Sequence, residues 1–201
     1  MKKIVIFVLI LGLVWYVWPD SKYEVKNVGN ANHAIVVLGD SLSYGKGAPA
    51  EGSYPALLEK SLNRSVINMG LNGDTAVNAK QRVKTALDYH PYMVLIEFGG
   101  NDFMRGVAFN STLEAIEEMI DAVQAAGAVA VLVDTGGNYV MGKYSKAYKK
   151  LARQKGAVFV PGILDGIMGK RELMSDQVHP NAAGYKMIAA KVEKAITPYL
   201  K

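Results

Sequence analysis

Short apolar runs alternate with amphipathic segments along most of the chain. Five runs without a helical period predict buried β-strands, at residues 34–40, 65–70, 92–100, 128–134 and 157–161. Between them, apolar residues recur every three or four positions and predict helices at residues 53–62, 75–89, 111–126, 143–155 and 181–199. Continuously apolar strands that alternate with helices are typical of a parallel sheet with helices on both faces. The pattern therefore predicts an α/β domain with about five parallel strands, from residue 34 to residue 201.

The first residues follow a different pattern. Lys2 and Lys3 precede fifteen residues without a charge, residues 4–18. Lysines before an apolar run are typical of an export signal, but cleavage of a signal peptide requires small residues directly after the run. This run instead ends with bulky side chains that include Trp15 and Trp18, which are typical of a membrane–water interface. We therefore expect an uncleaved signal-anchor, with a cleaved signal peptide as the alternative.

The chain divides into three parts on this interpretation. Residues 1–19 form the signal-anchor or signal peptide, the polar residues 20–33 form a linker, and residues 34–201 form the folded domain. Because lysines before an apolar run predict a cytoplasmic N-terminus, we expect the domain on the periplasmic or extracellular face of a membrane, anchored by residues 4–18.

The composition excludes several classes of protein. The chain has no cysteine, which excludes disulfide frameworks, thiolate metal sites and a lipidated-cysteine anchor. Half of the residues are hydrophobic, which is too many for a disordered chain. The 23 basic and 18 acidic residues are interspersed, so the net charge of +5 does not form a basic stripe and we expect no nucleic-acid partner.

Polar clusters follow three of the predicted strands, and a fourth precedes the last helix. They read GDSLS at 39–43, NMGLNGDT at 68–75, GGND at 99–102 and DQVHP at 176–180. Each cluster alone could be a turn or a helix cap. In an open parallel sheet, however, ligand sites lie at the carboxyl ends of the strands, so the clusters are expected to meet there.

The clusters contain the residue types that serine nucleophiles require. The hydroxyl of Ser41 needs a general base, and an imidazole suits that role at neutral pH. His179 is the histidine that the topology brings to this edge, because His33 lies in the predicted linker and His90 at the opposite edge. Asp176, three residues before His179, can bind its ring and fix the tautomer.

Further residues complete or compete with this arrangement. The side-chain amide of Asn101 and the backbone amides of Ser41 and Gly70 could stabilise a tetrahedral oxyanion. Asp134, at the end of the fourth predicted strand, is a rival for the acid that orients the histidine. The chain contains neither H-E-x-x-H nor G-x-S-x-G, which excludes the zinc-peptidase motif and the nucleophile elbow of α/β-hydrolases.

On these four blocks the sequence resembles the SGNH hydrolases, the GDSL esterase and lipase family, over residues 34 to about 198. The resemblance implies a flavodoxin-like three-layer α/β/α sandwich that needs no metal and no cofactor. It implies that Ser41 is the nucleophile, that His179 is the base and then the acid, and that Asp176 orients His179. It also implies an oxyanion hole formed by Ser41, Gly70 and Asn101.

The wording of the loops is similar to one branch of that family. NGDT at 72–75, EFGGND at 97–102 and the pair Asn138-Tyr139 resemble the bacterial exported enzymes that act as lysophospholipase, acyl-CoA thioesterase and arylesterase. The resemblance thus implies hydrolysis of carboxylic esters or thioesters of acyl chains through an acyl-enzyme on Ser41.

The substrate and the partners are less closely defined by the sequence. Phe103, Met104 and Phe109 could line an acyl groove, or they could simply pack the loop before the next helix. An alternative function in the same family is the removal of O-acetyl groups from carbohydrates, and a further alternative is a non-catalytic, membrane-tethered binding module. We expect a monomer that binds a small-molecule ester or lipid.

Overall fold

Five parallel strands form a single sheet in the computed structural model, which describes residues 23–136 and 141–200. The strands are β1 (Ile35–Gly39), β2 (Val66–Asn68), β3 (Met93–Glu97), β4 (Val129–Val133) and β5 (Val158–Val160). Their spatial order is β2-β1-β3-β4-β5, and all neighbours are parallel. The predicted parallel sheet is therefore confirmed. After β2 the chain crosses to the other side of β1, which makes the gap between β1 and β3 the topological switch point.

Eight α-helices connect the strands in the described residues. They are α1 (Ser41–Tyr44), α2 (Tyr54–Leu62), α3 (Ala76–Ala79), α4 (Val83–Leu87), α5 (Gly100–Met104), α6 (Phe109–Ala125), α7 (Gly142–Lys155) and α8 (Ala182–Ile196). Local signals in the sequence fix several of their ends. Ser53 caps α2 by accepting a hydrogen bond from the amide of Ala56, and Gly156 ends α7 with a left-handed φ of 68°.

Helices cover both faces of the sheet, because successive strand residues point to opposite sides. Ile35 and Val37 pack under α2 and α8, whereas Val36 and Leu38 pack under α6 and α7. All four side chains are completely buried. Full burial of such a side chain stabilises the fold by about 1.5–3 kcal/mol relative to exposure. This packing explains why the strands are apolar throughout, and it confirms the three-layer α/β/α architecture.

One predicted helix is divided. Residues 75–89 form α3 and α4 with a 3₁₀ turn between them, at Lys80–Arg82. The guanidinium of Arg82 reaches back from this turn to the carboxyl of Asp74 and to the carbonyls of Met69 and Gly39. The spacing of apolar residues could not predict this 3₁₀ turn, because the turn allows Arg82 to contact the segments at the ends of β1 and β2.

The segment before β1 differs from the predicted linker. Its described part, residues 23–33, packs along the amino-terminal edge of the sheet. The hydroxyl of Tyr23 donates to the carbonyl of Ala157, at 2.7 Å. The side-chain amide of Asn27 donates to the carbonyl of Ala128, at 3.0 Å, and that of Asn30 to the carbonyl of Tyr92, at 3.1 Å.

We call residues 23–33 the arm. Its hydrophobic residues do not recur at a strand or helix spacing, because the arm is held by side chains. Asparagine side chains, not a ladder of backbone hydrogen bonds, bind the carbonyls that precede β3 and β4. The predicted anchor, residues 4–18, lies outside the described residues. Within the described ranges, no helix has both the length and the apolar character needed to span a bilayer.

Candidate active site

All four polar clusters meet in one cavity at the switch point of the sheet. Ser41 is the first residue of α1, directly after β1, and Asn101 lies in α5, directly after β3. His179 approaches from the loop before α8, and all three residues line a cavity of about 250 Å³. The topology therefore brings together residues that are 138 positions apart in the chain.

Ser41, His179 and Asp176 form a continuous line of hydrogen-bond contacts. The Nε2 atom of His179 lies 3.1 Å from Oγ of Ser41, and its Nδ1 atom lies 2.7 Å from Oδ2 of Asp176. Ser41 and His179 are each only 8% exposed. If Nδ1 carries the proton that is shared with Asp176, Nε2 is free to accept the proton of the serine hydroxyl.

The Asp176 carboxyl is held in its ionised form. Its Oδ1 atom accepts hydrogen bonds from the amides of Val178 and His179, both at 2.8 Å. Partial burial alone would raise the pKa of Asp176, but these two hydrogen bonds and the His179 ring outweigh it and lower the pKa to about 2. The carboxyl of Asp176 is therefore ionised at neutral pH.

The loop that carries His179 is fixed on both sides of the histidine. The amide and the hydroxyl of Ser175 both donate to the carbonyl of His179, at 2.9 and 3.0 Å. Asn181 caps α8 through its side-chain oxygen, and its amide nitrogen donates to the carbonyl of Glu172. These contacts orient the imidazole before any substrate binds.

The rival acid, Asp134, has a different task. Its Oδ1 atom accepts from the amide of Gly136, at 3.1 Å, and its Oδ2 atom accepts from the amide of Gly162, at 3.2 Å. Burial raises the pKa of this carboxyl, and the hydrogen bonds oppose that rise. Asp134 thus joins the loops after β4 and β5, and the structure does not bring it to His179.

Gly70, the glycine of the expected oxyanion hole, lies away from the cavity. The amide of Gly70 donates to Oδ1 of Asn68, and a Cβ atom at Gly70 would clash with the backbone of Ser43 and Tyr44. Gly70 does not line the cavity of Ser41, whereas Gly73 does.

The reason lies in the backbone of the loop after β2. The amide of Leu71 still donates to the carbonyl of Gly39, so the chain at Gly70 continues alongside β1. The turn begins only at Leu71, whose carbonyl accepts from the amide of Asp74, and Gly73 occupies it with a φ of 76°. The sequence offers two glycines three residues apart, and only the position of the turn distinguishes them.

Asn101 occupies its expected place. Its side chain is 9% exposed and lines the cavity, and its Nδ2 atom donates to Oδ2 of Asp40 at 2.9 Å. A primary amide has two N–H donors, so this contact uses one and leaves the other for a ligand.

The expected acyl-binding residues separate into two groups. Phe103 and Met104 are exposed and line the cavity. Phe109 does not line it. Its ring instead packs edge-on against Tyr144, with a centroid distance of 4.9 Å, and the Nζ atom of Lys143 lies 3.9 Å from the centre of the Phe109 ring.

Sequence reasoning missed most of the apolar cavity wall. The wall comes from α1 and from the loops after β4, after β5 and before α8, and it comprises Leu42, Met141, Leu164, Met168 and Val178. No local signal distinguishes these residues from packing residues, because they come from four different segments. The pair Asn138-Tyr139 lies outside the described residues.

Comparisons with known proteins agree with this geometry. The model of the GDSL-like lipase/acylhydrolase family matches residues 37–187. An arylesterase from Vibrio mimicus is 33% identical over 182 residues, which cover 85% of this chain and 91% of that protein. Thioesterase 1/protease 1/lysophospholipase L1 from Escherichia coli K12 is 31% identical and covers 84% and 85% of the two chains. The crystal structure of TesA superposes with a TM-score of 0.78 at 29% identity, over 83% of this chain and 99% of that one.

Proposed function

The chain belongs to the GDSL-like lipase/acylhydrolase family and is a carboxylic ester hydrolase, and we propose that Ser41, His179 and Asp176 are its catalytic triad. The observation that carries this proposal is the unbroken line of contacts from Oγ of Ser41 through His179 to Asp176. Ser41 and His179 lie on the wall of a cavity at the switch point, where open α/β sheets bind ligands.

The reaction follows from these contacts. Oγ of Ser41 attacks the carbonyl carbon of an ester or thioester while Nε2 of His179 takes the serine proton. The Asp176 carboxylate stabilises the imidazolium that forms, and His179 then protonates the departing alcohol or thiol. Water hydrolyses the acyl-enzyme in the second half, with His179 as base and then as acid. The products are a carboxylic acid and free Ser41.

We assign the oxyanion hole to Ser41, Gly73 and Asn101, with Gly73 in place of Gly70. The support is that all three residues line the cavity, and that Asn101 retains an N–H donor beyond the one bound to Asp40. Donors arranged in advance for the developing charge are the largest single contribution in many enzymes of acyl transfer.

The substrate that we propose is an ester or thioester with an acyl chain longer than acetyl. The support is the apolar wall around Ser41, to which Phe103 and Met104 contribute. Two relatives are named as an arylesterase and as a thioesterase and lysophospholipase, which fits an acyl chain joined to different leaving groups. A carbohydrate O-acetyl group would leave this wall without a partner.

Hydrolysis of p-nitrophenyl esters tests the triad and the substrate together. We expect the full chain to hydrolyse the octanoyl ester with a higher kcat/KM than the acetyl ester, and Ser41→Ala to abolish both activities. A fluorophosphonate should label the wild-type protein and leave Ser41→Ala unlabelled. Activity on acetyl esters alone would favour the deacetylase, and an unlabelled wild-type protein would favour a non-catalytic binding module.

We further propose that the protein is exported and that residues 1–19 remain attached as a signal-anchor. The support is the uncharged run at 4–18 and the bulky residues at its end. Carbonate extraction of membranes distinguishes an integral anchor, which stays with the membrane, from a cleaved signal peptide, which releases the domain.

With such an anchor, the position of the arm supports one orientation of the cavity. Tyr23 lies beside Ala157 at the amino-terminal edge of the sheet, whereas Ser41 lies at the carboxyl edge. Only residues 19–22 separate Tyr23 from the apolar run, and four residues reach at most about 14 Å. We therefore propose that the cavity faces away from the bilayer that holds the anchor, and that substrate arrives from the aqueous side.

Vesicles that contain the full chain test this orientation. Lysophospholipid added in separate vesicles should be hydrolysed as fast as lysophospholipid in the same vesicles. A strong preference for the same vesicles would contradict the orientation.

A further inference from the structure

Two buried carboxyl groups lie directly beneath the nucleophile, and the reaction described above uses neither of them. Glu97 is the last residue of β3 and pairs in register with Gly39, so it lies beside Asp40, which follows Gly39. Glu97 is completely buried and Asp40 is 3% exposed. The strand register thus places the two side chains together, and each carboxyl shifts the pKa of the other. Because an ionised carboxylate only accepts hydrogen bonds, a hydrogen bond between the two groups requires a proton on one of them.

The surroundings indicate that Glu97 carries this proton. The carboxylate of Asp40 accepts from the amide of Leu42 and from Nδ2 of Asn101, both at 2.9 Å, and both contacts favour its ionised form. The Oε2 atom of Glu97 accepts from Oγ of Ser43 at 2.8 Å, and the backbone amide of Asp40 also favours the ionised form of Glu97, but its Oε1 atom receives no hydrogen bond from the described residues. Burial raises both pKa values, that of Asp40 to about 6 and that of Glu97 well above its usual range.

We propose that Glu97 is a positioning residue: as a neutral acid it donates a hydrogen bond to Asp40, and the Asp40 carboxylate in turn orients the side-chain amide of Asn101 toward the cavity. The inference rests on the oxyanion role proposed for Asn101. On this proposal Asp40 has two roles: it caps α1 and it orients Asn101. Glu97 has a positioning role that its location in an apolar strand does not indicate.

In the described part of the chain, no lysine or arginine is paired with Asp40 or Glu97. The groups that face the two carboxyls are the phenols of Tyr54 and Tyr185 and the carboxyl of Asp102, and none of these is a cation. Arg82 reaches the carbonyl of Gly39, but its guanidinium is paired with Asp74. With the proton, the pair has one negative charge. Without it, two buried charges would repel each other and would also oppose the oxyanion that forms beside Asn101.

Replacement of Glu97 by glutamine and by leucine tests the proposal. The Gln amide can donate to Asp40 and accept from Ser43, so Glu97→Gln should keep a kcat close to that of the wild type. Leucine fills a similar volume but donates nothing, so Glu97→Leu should lower kcat about tenfold or more with little change in KM, up to the effect of losing one oxyanion donor. Thr112→Val is the matched control, because it removes a hydroxyl from a different buried acid, Asp102, at the same edge.

A double-mutant cycle shows whether Glu97 acts through Asn101. If it does, Glu97→Leu should change kcat by less than about twofold in the Asn101→Ala background, since the group it positions is already absent. Equal losses in both backgrounds, or a Glu97→Gln variant as impaired as Glu97→Leu, would overturn the proposal. If Asn101→Ala alone retained full activity, the proposed oxyanion role would fail instead, and the two failures are thus distinguishable.

Infrared spectroscopy tests the proton directly and does not depend on whether Glu97→Leu folds. The difference between wild type and Glu97→Gln at neutral pH should contain the carbonyl stretch of a protonated carboxylic acid, shifted in D₂O. A difference spectrum with only carboxylate bands would show that Glu97 is ionised, and the proposal would then be wrong.

Discussion

Removal of the Asn101 side chain gives the sharpest test of the site. Asn101→Ala deletes the donor that we assign to the oxyanion, and loss of one such donor costs about 2.7–4 kcal/mol of transition-state stabilisation, or about 10²–10³-fold in kcat. KM should change little, because the donor acts on charge that develops in the transition state.

The same substitution has a separate cost in stability. Nδ2 of Asn101 donates to the Asp40 carboxylate, which is 3% exposed. A buried acceptor that loses its partner costs about 1–3 kcal/mol, so thermal unfolding should occur at a lower temperature while the protein remains folded. The two effects are independent, since only the first one changes the rate of folded enzyme.

The assay compares kcat and KM on an octanoyl ester well below the unfolding temperature, with circular dichroism to confirm folding. Asn110→Ala, at an exposed position in α6, is the control for the loss of an asparagine side chain. A folded Asn101→Ala enzyme with a kcat within about threefold of wild type would refute the oxyanion role, because such a change is far smaller than the loss of a donor.

Three further predictions concern other parts of the structure. Asp176→Asn should lower kcat strongly but leave residual activity, whereas Asp134→Asn should chiefly lower the melting temperature; a larger loss of kcat in Asp134→Asn would mean that the triad acid is misassigned. Asn27→Ala removes two hydrogen bonds of the arm and should lower the free energy of unfolding by about 1–3 kcal/mol with kcat unchanged, as measured by urea denaturation and ester hydrolysis. Burial raises the pKa of Asp40 to about 6 in the folded state, so its contribution to stability is complete below pH 4 and is lost as pH rises through 6. Asp40→Asn lacks this titration, so the melting temperature of the wild type should fall relative to that of Asp40→Asn as pH rises from 4 to 6.

The parts of the fold that the sequence predicts are those with local causes. The strands could be located because their residues are buried on both sides, and Ser53 and Gly156 mark helix ends by their own chemistry. Ser41 and His179 could be identified because their positions follow from strand order and topology, which the apolar pattern already contains.

The parts that the sequence does not predict depend on contacts between distant segments. Gly70 and Gly73 could be distinguished only by the point at which the chain leaves β1. The arm has no period, because Asn27 and Asn30 bind carbonyls with their side chains. Glu97 is the last residue of β3, and a charged residue at that position is typical of the end of an apolar strand. The sequence therefore does not indicate its role.

The distribution of buried polar groups explains why the site can be located from physics alone. Asp40, Glu97, Asn101 and Asp134 are all nearly or completely buried, and all of them stand at or just beyond the carboxyl ends of strands. A carboxyl group without a cation beside it opposes folding, so a sequence selected for stability alone would not gather several of them at one edge. The opposite edge contrasts with this, because the arm satisfies its carbonyls with neutral amides. Substitutions that neutralise Asp40 should therefore stabilise the fold at neutral pH while they disorder Asn101, which is the expected trade between stability and a preorganised site.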